Sequence, residues 1–146
     1  MALTTSDFPV ELRDRRGRSL FLFATQTFHF ERRESLRTDW KCATDQYIYN
    51  VRSEPDVNPD SQLIEWHWHP EVRAECHAHV NGTLPGGFHL GGTHLPTGRV
   101  SFEQVLIYLI DELEVAPRLD DWRPILDQNH ALHAQYRSWE GPSKPT

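Results

Sequence analysis

The sequence is poor in cysteine. Cys42 and Cys76 are its only two, with no CxxC pair, so a disulfide-stapled domain is excluded and two free thiols in a reducing cytosol are expected. Long apolar runs are also missing. None approaches the ~20 residues that span a bilayer. The segment Met1–Asp7 has neither a basic n-region nor an apolar h-region, so the expected location is cytoplasmic. Positive charge is short as well: 15 Lys and Arg face 21 Asp and Glu, for a net charge of −6. That balance argues against nucleic-acid binding driven by overall charge, and leaves room only for a local basic site. There is no internal repeat, and no linker divides the chain.

Aromatics and histidines are what the chain does have. Five Trp, seven Phe and four Tyr offset a hydrophobic fraction of only 38%, because each buries a large surface. At 146 residues the length suits one domain with an ordinary core. The nine histidines can erode the negative charge as the pH falls towards ~6.

The order of elements predicts an α+β fold. Strands are expected over 10–13, 19–32 (bent around Thr25–Thr27), 39–51, 62–69 and 75–81, joined by short turns. They predict an antiparallel sheet of four or five strands, covered by two C-terminal helices. Residues 1–146 read as a single domain: sheet about 9–81, an irregular Gly-, Pro- and His-rich loop 82–100, and helices about 101–114 and 121–139. Ser101 and Gln104 fit a capping box. Phe102, Val105, Leu106, Leu109, Ile110 and Leu113 make one apolar helix face. Pro117 closes that helix, and Asp120 or Asp121 can cap the next. Trp122, Ile125, Leu126, Leu132, Tyr136 and Trp139 form its expected packing stripe.

The densest chemistry lies in Glu65-Trp66-His67-Trp68-His69-Pro70 and Glu75-Cys76-His77-Ala78-His79-Val80. Side chains alternate across a strand, so each His-x-His pair projects from one face. A hairpin across 70–76 with His69 opposite His77 also sets His67 opposite His79. All four rings then share a face beside Glu65 and Glu75, while Trp66, Trp68 and Cys76 turn to the other. Tyr47 and Tyr49 form a second same-face pair, read as packing. His130 and His133 have no HExxH context and read as ordinary helix residues.

Two chemistries fit four gathered imidazoles. One is acid/base catalysis, since a pKa near ~6.5 keeps both protonation states populated. Cleavage of a phosphodiester by that route also needs a cation, and Arg73 and Arg99 are the candidates. The other is a metal with ligands at about 2.0–2.1 Å, completed by Glu65, Glu71 or Glu75. The segment Phe88–Arg99 adds His94 and a Gly-Gly pair. Thr97-Gly98-Arg99 lies just upstream of a helix N-terminus, where a phosphate is favoured. No Walker A sequence is present.

The span Tyr47–Trp139 resembles a family of small bacterial proteins. Its marks are paired-His strand segments, here His67-Trp68-His69-Pro70 and His77-Ala78-His79-Val80. They are followed by a helix-opening phrase, here His94-Leu95-Pro96-Thr97-Gly98-Arg99-Val100-Ser101. More loosely, Tyr47-Ile48-Tyr49 and the His-rich segment before a helix look like the TumE-type toxins of bacterial toxin–antitoxin pairs. That likeness implies an RNA-directed toxin held by a cognate antitoxin.

The leading expectation is therefore a toxin-like RNA nuclease. His67, His69, His77, His79 and Arg99 would be catalytic, Arg73 and His94 would hold substrate, and no cofactor would be needed. The first alternative is a metal-dependent enzyme or metal-binding module, with a divalent ion such as zinc on His67, His69, His77 and His79. The second is a non-enzymatic domain that binds a protein partner through its aromatic surface.

Overall fold

The computed structural model describes residues 2–4, 8–32, 40–56, 58–84 and 87–136. The elements in chain order are β1 (Ala2–Thr4), β2 (Val10–Arg13), β3 (Ser19–Arg32), β4 (Trp40–Arg52), β5 (Gln62–His69), β6 (Arg73–Val80), β7 (Thr83–Leu84), β8 (Phe88–His89), β9 (His94–Pro96), α1 (Phe102–Asp111) and α2 (Trp122–Tyr136). The class is α+β, as expected. Among the described residues the main sheet is antiparallel throughout and holds seven strands rather than four or five. Across it the order is β1-β3-β4-β5-β6-β9, and β2 lies beside β3 on the same side as β1. The additional strands β1 and β9 have three residues each, too few to display a period of two. The expected loop 82–100 thus contains an edge strand, and a small hairpin of β7 with β8.

The long β3–β4 ladder shifts register between Thr27 and Phe28, where the sequence predicts a bend. An unpaired extra residue increases the local twist. On one face of the sheet, Leu22, Ala24, Tyr47, Tyr49, Val51, Trp66, Trp68 and Ala78 are buried against Val105 and Leu109 of α1 and against Val115. These residues recur every second position in each strand, as a half-covered sheet requires. Tyr49 meets Phe102, and Trp66 meets Tyr108 edge-on with ring centroids 5.2 Å apart.

The capping box that opens α1 forms. Gln104 N–H donates to Ser101 Oγ at 3.3 Å, and Ser101 N–H donates to Gln104 Oε1 at 2.9 Å. The second helix departs from expectation. Among the described residues, none from α2 belongs to the buried core or packs directly on it. α2 leans on α1 instead, through an Arg123–Asp111 ion pair at 2.7 Å and a hydrogen bond between Ser101 Oγ and His130 Nδ1 at 3.0 Å. Its apolar stripe is too diluted to reach the sheet: Ile125 and Leu132 are exposed. Trp139 lies outside the described residues. None of the described helices is long and apolar enough to cross a membrane.

Leu109 is 1% exposed and Leu132 is 45% exposed, which gives a direct test of this layering. Leu109→Ala should lower stability by about 2–5 kcal/mol, while Leu132→Ala should stay within about 0.5 kcal/mol of wild type. Denaturant unfolding measures both; equal losses would place α2 in the core.

Candidate metal centre

The opposite face of the sheet carries the histidines. On β5, Trp66 and Trp68 turn into the core, so Glu65, His67 and His69 emerge on the other side. On β6, Ala78 is buried beneath the helix face, and His77 and His79 point the opposite way. The pairing is His67 with His77 and Glu65 with His79, two residues away from the expected register. The reason is local. The turn is shorter than predicted, closed by Val72 N–H on His69 C=O at 3.0 Å, and β6 begins at Arg73. A further register shift separates His67 from His69, which pairs with Arg73. A slip of two preserves the alternation, so the shared face survives the wrong register.

The rings pack closely. Centroids are 4.1 Å apart for His67–His77, 4.8 Å for His67–His79 and 5.1 Å for His77–His79. One nitrogen from each of these three lies within 4.8 Å of the other two. β9 adds His94, opposite His79 in the ladder. Its ring is 4.4 Å from His79 and 4.9 Å from His77. His69 touches only the end of this group, at 5.6 Å from His67, and its Nδ1 is bonded to Gln46 Oε1 at 3.0 Å.

Hydrogen bonds determine which nitrogen of each ring is available. His77 Nδ1 lies 3.0 Å from the Glu75 carbonyl. A carbonyl only accepts, so Nδ1 carries the proton and Nε2 presents its lone pair. His67 Nδ1 donates in the same way to Glu65 Oε1 at 3.0 Å. The other Glu65 oxygen accepts from Asn50 Nδ2, and Asn50 Oδ1 accepts from Arg52 Nε at 3.1 Å. Asn50 is itself buried. The chain Arg52–Asn50–Glu65–His67 thus orients one imidazole through a carboxylate, an arrangement common behind metal-ligating histidines.

His79 is different. Its Nε2 is buried and has no hydrogen-bond partner. Burial pushes the His67 and His79 pKa values below the ordinary range. Glu65 partly opposes this for His67, and the neighbouring rings reinforce it for His79. Both are therefore held in the neutral form that a metal needs.

The remaining sequence candidates are not drawn in. The Arg99 guanidinium lies 3.7 Å over the Trp68 ring, on the helix-covered face. It is not at the rim of the histidine group, where a helix-proximal cation was expected. The extended stretch into the N-cap turns it towards the core side, with Val100 N–H bonded to the Tyr47 hydroxyl at 3.1 Å. Arg73 stays on the histidine side near the turn, paired with Glu75 at 3.4 Å. Glu71 is exposed in the turn. Cys76 packs on the core side. Asn50 and Gln46 were missed, although Asn50 alternates with Tyr47 and Tyr49 and so had to face away from them. Comparison with known proteins adds no relative: no family model, no curated protein and no solved structure matches the chain.

The lowered pKa values of His67 and His79 make stability pH-dependent with a definite sign. The unfolded chain, with imidazoles near ~6.5, binds protons more readily than the folded one. Their contribution is complete above that pH and is lost as the pH falls through the folded-state values. His29, exposed between Glu31 and Asp45, is shifted the other way by those carboxylates, so a paired comparison is needed. In chelator, the unfolding midpoint of wild type should fall between about pH 7 and pH 5 more steeply than that of the His67→Gln/His79→Gln protein. Parallel curves would show that neither ring is held neutral.

Proposed function

We propose that this chain is a divalent-metal-binding module whose ion sits on the Nε2 atoms of His67, His77 and His79. The observation that carries the reading is the buried, unpartnered Nε2 of His79, placed beside two imidazoles whose Nδ1 atoms are already engaged. A ligand set of neutral imidazoles favours late first-row ions such as zinc, cobalt or nickel over magnesium or calcium. Glu65 acts behind His67, raising its basicity and fixing its tautomer.

The nuclease reading draws less support from the same geometry. A phosphate on the histidine face would need a cation there, yet Arg99 stacks on Trp68 across the sheet and Arg73 is engaged by Glu75. The carboxylate–histidine pair Glu65–His67 suits a general base as well as a metal ligand, so RNA cleavage insensitive to chelator is the rival outcome.

Titration calorimetry with zinc decides between them. Wild type should take up one equivalent, and His79→Ala should lose the site. Glu65→Gln should weaken binding by about 10–100-fold without removing a ligand. Absence of uptake by wild type would end the metal reading. Chelator-resistant RNA cleavage that is lost in His67→Ala would put acid/base catalysis in its place.

A further inference from the structure

The edge strand β9 carries the next step. It is three residues long, with all three exposed, and forms the outer edge of the sheet beside β6. Its register is His77 with Pro96, Ala78 with Leu95, and His79 with His94. Pro96 has no N–H to give to a ladder. So short a strand, with a proline at one end, is weakly fastened by backbone bonds alone. Such strands sit at the low-stability end of a fold.

Its side chains tell a different story. The first residue of β9 is a histidine, set directly across from His79, whose Nε2 is buried without a partner. The turn before it delivers it there. Thr93 N–H closes on Leu90 C=O at 3.0 Å, and Gly92 takes φ +80°, a conformation that favours glycine. Gly91 passes close to Asn81, where a Cβ would meet Oδ1 at 3.2 Å. The stretch is anchored on either side, by Leu90 N–H on Gly82 C=O at 2.8 Å and by Val100 N–H on the Tyr47 hydroxyl. Between those anchors, His94 is the residue that faces the three-histidine group.

Resting on the metal reading above, we infer that His94 is the fourth ligand, and that the ion fastens β9 to the body of the sheet. The His94 side chain is exposed and its ring already lies against His77 and His79, so a turn of that ring would bring a nitrogen towards the three-histidine group. Four protein ligands fill a tetrahedral ion. That is the pattern of a closed, structural site rather than of a catalytic one with an exchangeable position. Binding would join two strands separated by the 81–93 connection, and would order the path into the N-cap of α1. The site then works as a metal-responsive clasp: ion present, edge closed; ion absent, edge released.

Cobalt(II) is a suitable probe because its visible bands report ligand number. The wild-type chain should show the intense bands of a tetrahedral ion. His94→Ala should still bind cobalt, with weaker bands and a lower affinity, because one of four ligands is lost. His94→Gln serves as a second variant that preserves side-chain bulk at the edge. His69→Ala should behave as wild type. Hydrogen exchange gives the independent readout: zinc should slow the amides of residues 93–97 in wild type and leave them unchanged in His94→Ala. Wild-type spectrum and affinity in both His94 variants would overturn the fourth-ligand inference while leaving the three-histidine site standing. No cobalt uptake by wild type would overturn the metal reading itself.

Discussion

The antiparallel pairing of β5 with β6 is the constraint on which the rest depends. Each strand alternates large or small apolar residues with histidines, and the ladder converts that alternation into two faces of opposite chemistry. Trp66, Trp68 and Ala78 enter the core under α1. His67, His77 and His79 are thereby forced together on the other side. Neither face can be adjusted alone. A slip by one residue would bury the imidazoles under the helix and expose both tryptophans. The burial of two Trp side chains, each 7% exposed, therefore holds the histidine group in place from behind.

Holding it has a cost. A buried polar atom without a partner is unfavourable by on the order of 1–3 kcal/mol, and His79 Nε2 is such an atom. Burial, reinforced by the neighbouring rings, also lowers the His67 and His79 pKa values and so disfavours their protonated forms. Core packing compensates for this, but nothing in core packing requires it. The supporting hydrogen bonds point the same way. Glu65, Asn50 and Arg52 form a polar relay behind His67, and a carbonyl fixes His77. Ordered acceptors behind His67 and His77 engage their Nδ1 atoms, and one nitrogen from each of the three rings lies within 4.8 Å of the other two. The proposed divalent cation would satisfy them together, which a proton on any single ring would not.

Much of this was legible before any coordinates. The period of two in 62–69 and 75–81 fixed which residues share a face, and the capping box at Ser101 placed the start of α1. The register was not legible, because it depends on a three-residue turn and an irregularity between His67 and His69. Those features come from local backbone geometry that residue types alone do not specify. β9 was hidden for another reason: three residues flanked by Gly92 and ended by Pro96 carry turn chemistry, and only the partner strand makes them extended. Arg99 was misplaced because a loop has no period to say which way a side chain points. The second helix was overvalued, since its stripe contains enough apolar residues to pack on α1 but too few buried ones to reach the sheet.

The central claim is that three imidazoles present their Nε2 atoms to a common ion. Long-range proton–nitrogen NMR of the histidine rings measures this directly in the intact protein. At neutral pH and without metal, His67 and His77 should each show a protonated Nδ1 and a bare Nε2. On addition of one equivalent of zinc, the Nε2 resonances of His67, His77 and His79 should move together to metal-bound positions, with Nδ1 of His67 and His77 still protonated. Rings that carry the proton on Nε2, or nitrogen shifts unmoved by zinc, would contradict the account.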